Sequence, residues 1–121
     1  MSKILVIDDD KNIRSLLRDF LERDGYEVME AENGKVGLKL VGENGADLVI
    51  TDLIMPEKEG IETIRELRRD FSDVKIIAIS GGGAIGPETY LEMAKKMGAD
   101  RVFEKPFNLK EMSEAIRKLI E

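Results

Sequence analysis

Five polar residues of this 121-residue chain have side chains suited to phosphoryl chemistry: Asp8, Asp9, Asp52, Ser80 and Lys105. Each lies at or just after the end of a segment that is predicted to be a strand. If these strands end side by side, the carboxylates repel one another without a cation, and at least one is driven toward protonation. Oxygen donors without nitrogen or sulfur suit a hard ion, and Mg²⁺ fits best. The set therefore predicts a magnesium site with a reactive carboxylate.

The residue types also predict a role for each member. Asp8 and Asp9 would hold the metal, and Asp52 would be the nucleophile, since a carboxylate can form an aspartyl phosphate. Lys105 would neutralise charge on the transferred group, and Ser80 would donate a hydrogen bond to it. Phosphoryl transfer needs mainly positioning and charge stabilisation, which this set can provide.

Composition excludes several other kinds of chemistry. The chain has no Cys and no His, which removes thiols, imidazole bases and the usual zinc sites. Its net charge of −6 has the wrong sign for general attraction to nucleic acid or anionic lipid. No apolar run reaches the length of a membrane span, and no signal peptide begins the chain. We therefore expect a cytoplasmic protein with no direct nucleic-acid or membrane partner.

The elements that must position these residues alternate along the chain. Apolar residues at helical spacing follow each predicted strand, with Asp10 and Asn108 as predicted helix caps. The basic residues of the helices are predicted to lie on solvated faces, and these include Arg65, Arg68, Arg69, Lys95 and Lys96. The predicted strands are Lys3–Ile7, Tyr26–Ala31, Asp47–Asp52, Val74–Ile79 and Arg101–Glu104.

Five strands alternating with five helices predict an α/β fold with a doubly wound parallel sheet. Ligand sites in such sheets lie at the carboxyl ends of the strands. The five polar residues should therefore meet at one edge. The length fits one domain, so we expect a single unit over residues 1–121 with no output domain.

Several motifs resemble the receiver domain of two-component response regulators. They are the acid pair at residues 8–9, Asp52 followed by Met55-Pro56 and Gly60, Ser80 after an apolar strand, and Lys105-Pro106-Phe107. The resemblance covers the whole chain. It implies a flavodoxin-like three-layer fold with strand order 2-1-3-4-5 and a cis peptide between Lys105 and Pro106. Pro56 and Gly60 would shape the turn after the reactive acid.

The resemblance also implies a function and its partners. Asp52 would accept a phosphoryl group from a histidine of a sensor kinase or phosphotransfer protein. Mg²⁺, or Mn²⁺ in its place, would be bound by Asp9, Asp52 and the backbone carbonyl of Ile54, with Asp8 usually acting through water. The protein would catalyse its own phosphorylation and slow dephosphorylation, as a switch more than a turnover enzyme. It would act on an unknown downstream protein, as a monomer or a weak phosphorylation-dependent dimer.

The switch region departs from the family pattern. The family commonly has Tyr or Phe three residues before the lysine, where this chain has Val102; Phe103 is adjacent but should point to the opposite face of the strand. Gly81 begins a run of three glycines after Ser80. We therefore expect switching through Ser80 and Lys105, with reordering of the glycine loop in place of an aromatic side chain.

Three alternative interpretations stay open at this point. Asp8-x-Asp10 resembles the nucleophile motif of haloacid-dehalogenase-type phosphatases, in which Asp8 would attack. Gly81-x-Gly83-x-x-Gly86 fits a dinucleotide fingerprint, which is weak as a lone match. A receiver-like module could also bind partners without being phosphorylated.

Overall fold

The computed structural model describes residues 2–53, 60–81, 92 and 95–121. The strands are β1 (Lys3–Ile7), β2 (Glu27–Ala31), β3 (Leu48–Asp52), β4 (Lys75–Ser80) and β5 (Arg101–Glu104). The helices are α1 (Lys11–Arg23), α2 (Gly34–Asn44), α3 (Gly60–Asp70) and α5 (Leu109–Ile120). Residues 92 and 95–97 are also helical, and we label them α4. Within these described ranges no helix has both the length and the apolar character to cross a membrane.

The strands form one parallel sheet in the order β2-β1-β3-β4-β5. This order confirms the predicted doubly wound arrangement. β1 pairs with β3 so that Ile7 lies opposite Thr51. Asp8 and Asp52 each come one residue later, and the two acids therefore leave neighbouring strands at the same edge.

The three central strands, β1, β3 and β4, are buried on both faces because helices cover both sides of the sheet. Alternate residues of β1 enter different cores: Ile4 and Val6 pack in a cluster that includes residues of α1 and α5. Leu5 and Ile7 pack with residues of α2 and α3. The continuous apolar run of β1 is thereby explained, since a strand covered on both sides has no solvent face. Val102 and Phe103 likewise pack in opposite cores, as the sequence predicted.

Side-chain caps begin three of the helices. The Oδ1 atoms of Asp10 and Asn108 accept hydrogen bonds from backbone N–H groups in the first turns of α1 and α5. Asn33 caps α2 in the same way. Leu16 of α1 and Val36 of α2 lie at helical spacing from the buried residues, which predicts an inward position for both, yet they are exposed by 47% and 38%. Each lies at the margin of its helix's apolar stripe, where the neighbouring elements do not cover it.

The prediction for Arg68 was wrong. Its guanidinium donates to the carbonyls of Gly98, Ser72 and Val74 and to Asp100 Oδ2, at 2.6–3.2 Å. Asp100 Oδ2 also accepts the N–H of Ile76 at 2.8 Å. Arg68 therefore joins the end of α3 to β4 and to the turn before β5, at the edge of the sheet opposite the acids.

Candidate active site

The topology brings the three predicted acids together. One carboxylate oxygen from each of Asp8, Asp9 and Asp52 lies within 4.8 Å of the other two. Asp8 and Asp52 are buried, whereas Asp9 is exposed. The cluster is therefore closed toward the core and open to solvent on the side of Asp9.

Lys105 contacts both buried acids. Its Nζ lies 2.9 Å from Asp52 Oδ2 and 3.2 Å from Asp8 Oδ2. Lys105 follows β5, and β4 lies between β5 and the strand of Asp52, so its stem must cross the end of β4. Gly81 leaves the space for that path, because a Cβ there would lie 2.9 Å from Lys105 Cδ and 3.1 Å from its Cβ.

Burial and charge both alter the protonation of this group. Burial raises the pKa of Asp8 from its ordinary value of 3.8 to about 6; the charge of Asp52 adds to this rise, while the Asp10 N–H and Lys105 oppose it. One acid is thus pushed toward its neutral form, as the sequence predicted, but burial contributes more than repulsion. Burial alone would lower the pKa of Lys105, yet its hydrogen bonds and charge interactions with Asp52 and Asp8 outweigh burial and raise it. Lys105 therefore stays charged.

Ser80 ends β4 with a fully buried side chain. Its Oγ has no hydrogen-bond partner in the part of the chain that the structure describes. A buried hydroxyl without a partner costs free energy, so this Oγ can still donate a hydrogen bond at the edge of the sheet where the acids lie.

Gly60 packs closely against the end of β3. Its N–H donates to the carbonyl of Leu53 at 3.0 Å. A Cβ at this position would overlap the carbonyl oxygen of Asp52 and the Cα of Leu53, so no other residue fits without moving the backbone. Pro56 and Ile54 lie outside the described residues, as do Gly82 and Gly83. The peptide between Lys105 and Pro106 is cis, as the resemblance implied.

The donor set fits a hard divalent cation. It consists of carboxylate oxygens in a cluster with Asp8, Asp9 and Asp52 as members, without the nitrogen or sulfur donors that softer metals prefer. Mg²⁺ is held in proteins by one or two carboxylates together with waters and phosphate oxygens. The open side at Asp9 leaves room for such further ligands.

Sequence reasoning missed two residues beside this site. Arg14 on α1 donates from Nη1 to the carbonyl of Asp8 at 2.7 Å and from Nε to Glu30 Oε1 at 3.3 Å. Glu30 on β2 also accepts from Arg18 at 2.7 Å. Arg14 and Arg18 are four residues apart and share one helix face. In the sequence, the signal that could have identified these residues was the spacing of the two arginines, together with a glutamate inside a predicted strand.

Known proteins match nearly the whole chain. The response regulator receiver domain family matches residues 4–117. Transcriptional regulatory protein CpxR of Klebsiella pneumoniae is 36% identical over 120 residues, which are 99% of this chain and 50% of that protein. Sporulation initiation phosphotransferase F of Bacillus subtilis is 31% identical over 118 residues, which are 98% of this chain and 93% of that protein. The chain thus spans about half the length of CpxR but nearly all of the phosphotransferase.

Solved structures agree with this relationship. The response regulator protein TrrA from Thermotoga maritima, solved in complex with Mg²⁺ and BeF, matches with a TM-score of 0.86 and 38% identity over 98% of this chain and 99% of that one. Fold, acid cluster and sequence therefore point to the same conclusion. This chain belongs to the receiver domain family of two-component response regulators.

Proposed function

We propose that Asp52 accepts a phosphoryl group from a phosphohistidine of a sensor kinase or a phosphotransfer protein. The observation that carries this proposal is the contact of Lys105 Nζ with Asp52 Oδ2 at 2.9 Å, in a cluster with two further carboxylates. A lone buried aspartate would be a weak candidate. An aspartate beside a fixed cation and a set of metal-binding oxygens has what phosphoryl transfer requires.

In the proposed reaction a carboxylate oxygen of Asp52 attacks the phosphorus atom of the phosphohistidine. An O–P bond forms, the P–N bond breaks, and its electron pair leaves with the imidazole, which takes up a proton from water. Lys105 provides positive charge beside the attacked phosphoryl group. Ser80 Oγ, which has no partner among the described residues, donates a hydrogen bond to a phosphoryl oxygen of the product.

Asp8, Asp9 and Asp52 would hold the metal ion, with Mn²⁺ able to replace Mg²⁺. A bound divalent cation supplies positive charge that offsets the crowded carboxylates and the phosphoryl oxygens. The Mg²⁺ and BeF complex of the related TrrA supports this assignment. Asp9 lies on the solvent side of the cluster and is the acid that an incoming ion would meet first.

The phosphorylated chain would act as a switch. Movement of Ser80 and Lys105 toward the phosphoryl group would change the surface formed by the neighbouring loops and so alter the binding of a downstream protein. Slow hydrolysis of the aspartyl phosphate would reset it. We propose that residues 1–121 act as one receiver unit, as a monomer or a weak phosphorylation-dependent dimer, without direct nucleic-acid contact. We assign the exchange to the cytoplasm, which holds the ATP from which protein kinases draw phosphoryl groups.

The test is phosphorylation by phosphoramidate, a small donor with a P–N bond, with Mg²⁺ or with EDTA. Intact-mass measurement and peptide mapping after borohydride reduction should place one metal-dependent phosphoryl group on Asp52. Asp52→Asn should abolish the label. Asp10→Asn is the matched control, because Asn keeps the oxygen that caps α1 at 2.8 Å.

Two outcomes would overturn the proposal. Label on Asp8 would favour a haloacid-dehalogenase-type nucleophile. Absence of label in the folded wild-type protein would favour a binding module that works without phosphorylation.

A further inference from the structure

Arg14 contacts the backbone of the acid cluster. Its Nη1 donates to the carbonyl oxygen of Asp8 at 2.7 Å. That oxygen belongs to the peptide that links Asp8 to Asp9. Because the peptide group is planar, holding its oxygen also fixes the nitrogen and the Cα of Asp9. Arg14 therefore fixes the position from which the side chain of the exposed acid starts.

Other hydrogen bonds hold the remaining polar groups of Asp8. The N–H of Asp8 donates to the carbonyl of Ala31 at 3.1 Å. Asp8 Oδ1 accepts the N–H of Asp10 at 2.9 Å. Asp8 is thus attached to β2 through its own amide and to the start of α1 through its carboxylate. The carbonyl between these anchors is held by Arg14.

Glu30 in turn holds Arg14 in place. Its Oε1 accepts from Arg14 Nε at 3.3 Å, and its Oε2 accepts from Arg18 Nη1 at 2.7 Å. The Arg14 and Glu30 side chains are only 15% and 24% exposed. A partly buried, charge-assisted arrangement of this kind is better fixed than an exposed ion pair.

We infer that Arg14, held by Glu30, is a positioning residue for the metal site, and that it tunes Mg²⁺ affinity through the peptide between Asp8 and Asp9. The inference rests on the proposed function, because it requires the acid cluster to bind the ion. Removal of a residue that hydrogen-bonds to a metal ligand, without touching the metal itself, typically weakens metal binding by about 10–100-fold.

A positioning role and a purely electrostatic role of Arg14 predict opposite changes in Mg²⁺ affinity when the residue is removed. If Arg14 acted only as a nearby cation, its removal would relieve repulsion and tighten Mg²⁺ binding. If it positions the peptide, its removal should weaken binding. Arg18 provides the matched control, because it also binds Glu30 but donates to Glu22 at 3.4 Å in place of Asp8.

The experiment is a Mg²⁺ titration of ¹⁵N-labelled protein, followed by the amide signals of Asp8, Asp9 and Asp52. Arg14→Met should raise the dissociation constant roughly tenfold, whereas Arg18→Met should leave it unchanged or slightly lower. Arg14→Lys keeps the charge but cannot bridge the carbonyl and Glu30 together, so it should also weaken binding. In the Arg14→Met background, Glu30→Gln should add little, since coupled residues are not additive. Urea denaturation without metal verifies that each variant is folded.

The outcomes separate the inference from the proposed function. If wild-type protein binds Mg²⁺ and Arg14→Met or a folded Arg14→Lys variant binds it as tightly, the inference alone is overturned. If the wild-type signals of the three acids do not respond to Mg²⁺, both the inference and the proposed function are wrong.

Discussion

Lys105 Nζ lies 2.9 Å from Asp52 Oδ2. The same ammonium group is 3.2 Å from Asp8 Oδ2, so one cation serves two buried acids. Lys105 therefore partly offsets the negative charge that a metal ion would otherwise balance. Loss of this cation should affect stability and metal binding in opposite directions.

Lys105→Met should destabilise the metal-free protein by about 1–3 kcal/mol, because it leaves two buried carboxylates without their shared donor. Mg²⁺ should bind more tightly to the variant, since a competing positive charge has been removed. Saturating Mg²⁺ should consequently restore more stability to the variant than to wild type. Urea denaturation with EDTA or Mg²⁺ measures both effects. Lys110→Met, at an exposed position of α5, is the control, and equal metal-free stabilities of the Lys105 variant and wild type would contradict the prediction.

The raised pKa of Asp8 predicts a pH-dependent stability. Burial raises this pKa from 3.8 to about 6, so between these values the folded state binds more protons than the unfolded state. Stability contributed by this group is therefore lost as the pH rises through that window. One pKa unit corresponds to roughly 1.4 kcal/mol, and the full cost above the folded pKa is roughly 3 kcal/mol.

The asparagine side chain of the Asp8→Asn variant cannot ionise. The variant should therefore not lose this stability as the pH rises. Without metal, the stability of the variant relative to wild type should rise by up to roughly 3 kcal/mol from about pH 4 to about pH 7. Saturating Mg²⁺ should remove the advantage, because the ion binds the charged carboxylate. Denaturation curves across this range test the effect, and a flat difference would rule out a raised pKa at Asp8.

Ser80→Ala should stabilise the unphosphorylated protein by about 1 kcal/mol, since it removes a buried hydroxyl that has no partner in the described part of the chain. It should also slow phosphoryl uptake from phosphoramidate. Ser113→Ala is the contrasting control, because Ser113 Oγ donates to Asp24 Oδ2 at 2.8 Å. That variant should lose about 1 kcal/mol and keep normal uptake. Destabilisation by Ser80→Ala would show that its hydroxyl already has a structural partner.

Gly60→Ala should destabilise the protein by at least about 2 kcal/mol, because overpacking against backbone cannot be relieved by a rotamer change. The added Cβ would overlap the backbone of Asp52 and Leu53, so phosphoryl uptake should also fall. Gly42→Ala provides the control on α2, where the nearest atom to a new Cβ is Phe71 Cζ at 3.8 Å. It should be neutral or stabilising by about 0.5–1 kcal/mol. Chemical denaturation of both variants tests the contrast.

Local patterns were enough to predict the strands and the helix caps. The continuous apolar run of β1 indicated a strand buried on both faces, and Asp10 indicated a cap. These features depend on residues within a few positions of one another. The meeting of the three acids could be predicted as well, because a polar residue that ends a buried strand must emerge at the edge of the sheet.

Long-range side-chain partners away from the carboxyl ends of the strands could not be predicted in this way. Arg68 looked like a surface charge but binds the carbonyls of Ser72, Val74 and Gly98 and the carboxylate of Asp100. Gly81 looked like part of a loop, yet its missing side chain gives Lys105 its path. Such contacts join residues that lie far apart along the chain.

The sequence by itself determined the alternation of strands and helices and the chemical groups at the strand ends. Only the tertiary structure decided that Arg68 binds backbone carbonyls at the opposite edge of the sheet, and that Arg14 holds the peptide between Asp8 and Asp9. The physical reason is that periodicity and capping follow from neighbours along the chain, whereas a hydrogen bond requires two groups within about 3 Å at a suitable angle. Strand order and helix packing bring such groups together, and no local pattern records that geometry.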